Sequence, residues 1–205
     1  MNREAVIIRH VNWLTTNGIN EAVKSLKMAG HFLSRTEEDK YYWKWMLVAL
    51  HNSLQGFMAC SLSAGDGLAI LKDRVAQKWL AAQRDGLPLP REELDTFLNL
   101  YKKIKSEKML VNTNSRQFIP RGRQDYSVRK LNRLRNHFVH FTPKSWSLEV
   151  SDLPTISRDC IQVIRFLVYK SGNIDGLKEA ANLEISDEIN NLLDRLIKLE
   201  AIYKM

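Results

Sequence analysis

Apolar residues recur at the spacing of an α-helix along nearly the whole chain, and the strict alternation of a β-strand is almost absent. In the run LNRLRNHFVHF, for example, Leu131, Leu134, Phe138 and Phe141 fall on one helical face. Such a face is stable only when other elements bury it, and this chain offers mainly other helices for that purpose. The sequence therefore predicts an all-α protein.

Glycine, proline and asparagine divide the chain into candidate helices. The segments TNGIN, SAGDG and DGLPLP separate the helices of the first half, and Pro143 ends the helix that contains RLRNHFVHF. Residues 109–126 have no helical period and contain both proline and glycine, so we predict a long loop there. The predicted helices span about residues 3–16, 20–34, 37–62, a stretch ending near Arg84, 91–108, 127–141 and 153–169.

The chain has 205 residues and a hydrophobic content of 44%, which is enough to bury a sizeable core. We assign residues 1–172 to one helical domain and residues 173–205 to a helical C-terminal extension. In the extension, apolar residues step by four and three positions in a heptad-like pattern. This apolar seam either docks on the domain or pairs with a partner, and it consists of Ile185, Ile189, Leu192, Leu196, Leu199 and Tyr203.

The cysteines and the N-terminal sequence bear on where the protein resides. Cys60 and Cys160 have no neighbour at metal-ligand or redox-motif spacing, and two cysteines cannot form the disulfide framework of a small secreted protein. The N-terminus is charged from Arg3 and lacks the apolar run of a signal peptide, and no stretch approaches the length of a membrane span. We expect a soluble, cytoplasmic protein that does not contact a membrane.

Basic charge is concentrated in one part of the chain. Residues 102–135 contain eleven lysines and arginines but only two acidic residues, Glu107 and Asp125. The rest of the chain has twenty basic and twenty-one acidic residues. Such a segment in an otherwise neutral chain is typical of proteins that bind a polyanion such as nucleic acid, although charge alone fits a basic solvated surface equally well.

Polar groups gather on the helix that contains RLRNHFVHF. Asn132, Asn136 and His140 stand four residues apart on the face opposite the predicted core, and Arg135 lies at the border between the two faces. An imidazole, a guanidinium and a carboxamide therefore converge beside the arginine-rich loop. The alternative for His140 is a surface cation that interacts favourably with the helix dipole.

The segment RNHFVH, Arg135 to His140, resembles the R-x-x-x-x-H signature of the HEPN superfamily, in the version with Asn directly after Arg. The resemblance covers about residues 37–172, where the helix with ALHNSLQGFM looks like the one that packs against the motif helix in relatives. It implies a HEPN-like bundle of roughly four to five helices, here with additional N- and C-terminal helices. Many members are metal-independent endoribonucleases of toxin–antitoxin, abortive-infection and CRISPR systems.

The resemblance also implies partners. The site in HEPN relatives is typically composite across a two-fold interface, so we expect a homodimer that brings two copies of Arg135, Asn136 and His140 around one cleft. An antitoxin or regulatory protein is a further expected partner. Some relatives carry a tyrosine two residues after the histidine, which the antitoxin modifies, but this chain has Thr142 and should lack that control.

These residue types suit the cleavage of RNA. The 2′-hydroxyl attacks the adjacent phosphate once a base removes its proton, and we assign that acid–base role to His140 because imidazole titrates near neutral pH. Arg135 grips the phosphate oxygens, and Asn136 either contacts the phosphate or orients the imidazole. We expect no cofactor and no metal, because no step needs one and no carboxylate cluster has metal-ligand spacing.

Other residues have two interpretations. His51, Asn52 and Gln55 are either satisfied polar groups within an apolar helix or a second half of the site. The whole protein is alternatively a non-catalytic RNA- or nucleotide-binding module, or a helical interaction protein. In the RNA-cleaving and RNA-binding readings, the cations that contact RNA are Arg116, Arg121, Arg123, Arg129 and Arg133.

Overall fold

The structure is a computed structural model that describes residues 13–140, 145–174 and 179–203, with no side-chain detail for residues 179–181. Within these ranges the regular structure is helical, apart from one isolated bridge between Leu71 and Leu94. The prediction of an all-α protein is confirmed. The helices are α1 (Gly18–Leu33), α2 (Tyr42–Leu62), α3 (Asp73–Arg84), α4 (Phe97–Lys103), α5 (Gln124–Val139), α6 (Leu153–Tyr169) and α7 (Glu179–Tyr203).

Helix α2 is the centre of the bundle. It packs against α1, α4, α5 and α6, and its apolar residues cover most of its circumference because neighbours surround it. Trp43 and Phe57 are among the largest fully buried side chains. At Gly56 the backbone of α1 comes so close that an added β-carbon would lie 2.8 Å from the β-carbon of Ala22. The two helices therefore need small residues at this crossing.

Helix α1 begins at Gly18, where the Asn17 side chain accepts a hydrogen bond of 2.8 Å from the backbone N–H of Asn20. The predicted helix at 3–16 is wrong for residues 13–16, which are not helical, and its earlier residues lie outside the described ones. Asn17 thus acts as a helix cap, since its side chain replaces the missing backbone partner. The helix predicted at 20–34 is confirmed.

The helix predicted at 91–108 is wrong over its first third. Residues 91–96 pair with the segment before α3, where the Asp95 N–H donates to Ile70 O at 2.9 Å and the Lys72 N–H donates to Glu93 O at 3.0 Å. Thr96 then caps α4, which ends at Lys103. The buried Lys103 ammonium lies 2.7 Å from the Asp95 carboxylate, so tertiary contacts outweigh the helical pattern here.

Helices α5, α6 and α7 complete the bundle. Helix α5 begins and ends slightly earlier than the predicted 127–141, and Phe141 lies outside the described residues. Helix α6 matches its predicted range. Helix α7 packs against α1 and α6. The apolar seam lies in the same core as the other helices, buried at Ile185, Ile189, Leu192, Leu196 and Leu199 and partly buried at Tyr203.

None of the described helices combines the length and the apolar character needed to cross a bilayer.

Candidate functional site

The Arg135 guanidinium is held against α5 with part of its hydrogen-bonding capacity unused. Its Nη1 donates to the Asn136 side-chain oxygen at 3.1 Å. Its Nε is buried and has no hydrogen-bond partner, and among the described residues no carboxylate forms an ion pair with it. A half-buried cation without a paired carboxylate favours an anionic ligand at its exposed side.

Helix α2 contributes His51 to the polar side of α5. The ring of His51 stacks on Phe97 with centroids 3.9 Å apart, and its Nε2 lies 3.1 Å from the Asn132 side-chain oxygen. Because an amide oxygen only accepts, Nε2 carries the proton, and the buried Nδ1 has no partner. His51 is thus a helix-contact residue that fixes Asn132, one turn before Asn136 on the motif helix.

The His51 imidazole is uncharged at neutral pH. Burial lowers its pKa from 6.5 to about 4, the hydrogen bond to Asn132 acts in the opposite direction, and the positive charge of Arg135 lowers the pKa further. The pair of Arg135 and a neutral His51 therefore places one positive charge, and not two, at this side of α5.

Acid should destabilise the fold through His51. The pKa of His51 is lower in the folded protein than in the unfolded chain, so between the two values the unfolded chain binds more protons. The stability that His51 contributes is therefore complete above about pH 6.5 and is lost as the pH falls towards 4. From about pH 7.5 to about pH 5 we expect His51 to reduce the free energy of unfolding by about 2 kcal/mol. Urea unfolding across this range measures the effect.

The matched variants are His51→Gln, which retains an amide donor for Asn132 but does not titrate, and His31→Gln at the exposed end of α1. His51→Gln should remove about 2 kcal/mol of the pH dependence, whatever its stability at neutral pH, whereas His31→Gln, which keeps His51, should retain the contribution of His51. An equal pH dependence in wild type and His51→Gln would show that His51 does not titrate with a lowered pKa.

His140 lies at the end of α5, as its C-cap. It is the residue at which α5 ends, with φ −86° and ψ 89°, and its N–H donates to Asn136 O at 3.0 Å. The helical hydrogen bond and the near-helical φ leave His140 following Asn132 and Asn136 along α5, and the backbone departs from the helix only after it. The side chain of His140 is exposed.

His137, one turn after Arg133 on α5, packs edge to face on Trp146 with ring centroids 5.6 Å apart.

The predicted RNA-contacting arginines fall into three situations. Arg116 and Arg121 line a groove between the loop before α5 and helix α6. Arg123 forms two hydrogen bonds to the Asp152 carboxylate, at 2.8 and 3.1 Å, and lies over the Tyr126 ring. Arg129 and Arg133 are exposed on α5. The structure thus brings Arg116 and Arg121 together and commits Arg123 to another partner.

Two further cations, Arg165 of α6 and Lys170 directly after it, were not predicted to contact RNA. Arg165 and Lys170 line the same groove as Arg116 and Arg121. They lie outside the basic segment at 102–135, and their helix has only a small excess of positive charge, Arg158 and Arg165 against Asp159. The polar face of α6, with Gln162 and Arg165 three residues apart, was the one signal in the sequence that pointed to them.

Candidate metal ligands do not gather in the described part of the chain, where no group of three or more His, Cys, Asp or Glu side chains has a suitable arrangement.

Comparison with known proteins adds no relative to these observations, because no family model, curated protein or solved structure matches the chain significantly.

Proposed function

We propose that this protein is a metal-independent endoribonuclease of the HEPN type. The observation that carries the proposal is the Arg135 guanidinium, half-buried beside Asn136 and without a paired carboxylate among the described residues. A phosphate group of RNA supplies the missing negative charge, held by the part of the guanidinium that is not buried. The toxin and defence roles of HEPN relatives are the biological setting that the resemblance implies.

The proposed reaction uses the 2′-hydroxyl of RNA as its nucleophile. An imidazole of His140 accepts the hydroxyl proton while the 2′-oxygen forms a bond to phosphorus, and the bond from phosphorus to the 5′-oxygen breaks. The departing 5′-oxygen receives a proton from a second imidazole. Arg135 stabilises the negative charge that develops on the phosphate oxygens, and the products are a 2′,3′-cyclic phosphate and a 5′-hydroxyl.

The need for a second imidazole supports a homodimer with a composite site. His51 is buried and neutral and contacts Asn132, so it serves to position α5 and does not reach a substrate. We assign the acid to His140 of a second copy, which the two-fold interface would bring to the same cleft. Val139 is 48% exposed beside it and is available for contact between copies. The apolar seam, which was considered for such a contact, is instead used within the chain.

Purified protein should cleave single-stranded RNA in the presence of EDTA. Denaturing electrophoresis and end-group analysis would show a 2′,3′-cyclic phosphate and a 5′-hydroxyl, because these ends follow from internal attack. DNA of the same sequence should survive, since it has no 2′-hydroxyl. Cleavage that depends on a divalent metal would contradict the proposal.

A non-catalytic RNA- or nucleotide-binding module is the second candidate. The exposed position of His140, beyond the last residue of α5, favours it, since an imidazole outside the helix is less fixed relative to Arg135. Tight binding of RNA by the intact protein, together with full recovery of uncut RNA, would select this function.

A further inference from the structure

A groove with four cations lies between α6 and the loop that precedes α5. The cations are Arg116 and Arg121 from the loop and Arg165 and Lys170 from α6 or its end, and we call this site the cationic groove. Its volume is about 740 Å³. That is larger than a single phosphate group requires, so the groove has room for an extended ligand.

The walls of the cationic groove are fixed by contacts within the protein. The Arg116 N–H donates to Ser171 O at 2.8 Å, and the Phe118 N–H donates to Ile104 O at 2.9 Å. The rings of Phe118 and Phe166 pack with centroids 5.2 Å apart. The loop is therefore attached through its backbone to the residues that follow α6 and α4, and through the Phe118 ring to α6, and the cations are brought together before any ligand binds.

The four cations of the cationic groove have no acidic partner within the described part of the chain. Among the described residues, none of the four cations takes part in an ion pair, and the lining contains no aspartate or glutamate. Arg123, two residues beyond Arg121, shows the contrast because it is paired with Asp152 at 2.8 Å. Four unpaired cations around one groove favour a ligand with several negative charges.

Apolar and amide groups beside the cations favour a nucleic acid over a small anion. Ile119 is 75% exposed and Leu110 is 49% exposed, and both belong to the lining. The amides of Gln117 and Gln162 add donors and acceptors. A phosphodiester chain pairs its phosphates with the cations and covers the apolar side chains with its bases, whereas an inorganic anion leaves them exposed.

We propose that the cationic groove binds the backbone of single-stranded RNA at a position separate from Arg135. Gln124, which lines the groove, precedes Arg135 by eleven residues on α5. That separation corresponds to about 16 Å along the helix axis. The identity of the ligand as RNA rests on the proposed function, and the groove is then a holding site that retains the strand while the distant phosphate reacts.

The test is the salt dependence of binding to an uncleavable probe. Fluorescence anisotropy would use a labelled 2′-O-methyl oligouridine of about 12 nucleotides, which fits the range of single-strand sites and has no free 2′-hydroxyl. The double variant Arg165→Gln/Lys170→Gln should bind about tenfold or more weakly at low salt. The slope of log affinity against log salt should become shallower by about 1.4, because two fewer phosphates are neutralised.

The matched control is Lys24→Gln/Lys78→Gln, which removes the same charge from exposed positions on α1 and α3 outside the groove. Circular dichroism and thermal melting would establish that both double variants are folded. The control should keep the wild-type slope. Equal losses in the two double variants, or an unchanged slope in the groove variant, would overturn the proposal.

The outcomes for the groove and for the proposed function are separable. Binding that is lost in the groove variant, while wild type leaves cleavable RNA intact, supports the groove and contradicts the ribonuclease. Cleavage by wild type with normal binding by the groove variant contradicts the groove alone. An acidic peptide is the competing ligand, and polyglutamate that binds as tightly as the RNA probe would overturn the assignment to nucleic acid.

Discussion

Arg135→Ala protein should cleave RNA about 10²–10³ times more slowly than wild type, as expected when a group that stabilises a developing oxyanion is removed. Arg135→Lys should recover little of this loss. Its ammonium keeps the charge but cannot grip two phosphate oxygens in a fixed geometry. Rates measured at saturating RNA separate this effect from weaker binding.

The control for Arg135→Ala is Arg74→Ala. Arg74 is an exposed arginine on α3 that pairs with Glu93. His140→Ala should lose about 10²–10⁴ in rate, as expected for a general acid or base. His31→Ala is its control, since His31 also lies exposed near the C-terminal end of a helix. If Arg135→Ala or His140→Ala kept full activity, that residue would have no part in the reaction.

Mixing experiments extend this result to the composite site. Inactive His140→Ala protein added to wild type should reduce activity beyond simple dilution, because mixed dimers lack one imidazole in the shared cleft. Light scattering at the assay concentrations would give the oligomeric state. Full activity from a demonstrated monomer would contradict the composite site.

Leu196→Ala should lower the free energy of unfolding by about 2–5 kcal/mol, the range for a leucine removed from a packed core. Leu196 is fully buried in the core that α7 shares with α1 and α6. Its neighbour Ile197 is 51% exposed and supplies the matched control. Ile197→Ala should change stability by less than about 1 kcal/mol.

Urea unfolding at several protein concentrations distinguishes the two roles that the sequence allowed for the seam. If the seam docks within its own chain, the loss of stability caused by Leu196→Ala does not depend on protein concentration. If the seam pairs with a second chain, stability rises with protein concentration. A concentration-dependent midpoint, or equal effects of the two substitutions, would contradict the packing of α7 on its own domain.

The helices whose apolar periodicity coincides with burial were predictable. Helix α6 matches its predicted range, and Leu131, Leu134 and Phe138 of α5 are buried as expected. The non-helical structure of residues 91–96, before α4, could not be predicted in this way. Their backbone hydrogen bonds go to residues more than twenty positions away, and local periodicity carries no information about such contacts. The end of α5 at Val139, two residues before the predicted end, differed for a related reason, since the exact residue at which a helix ends depends on its surroundings.

The candidate site was predictable only in part. The spacing of the motif placed Asn132, Arg135 and Asn136 on one helix, and that arrangement depends on α5 alone. The contact between His51 and Asn132 joins residues on different helices, and the sequence left its role open. Arg165 and Lys170 of the cationic groove come near Arg116 only through the packing of the loop on α6.

The close crossing of α1 and α2 limits how this sequence can change over time. Position 56 has no room for a β-carbon beside Ala22, so the two positions share a fixed volume, and a larger residue at either one displaces α2. His51 lies five residues before Gly56 on the same helix and contacts Asn132 on α5. A volume change at a crossing that never meets a substrate would therefore be transmitted, through the displacement of α2, to the helix that carries Arg135.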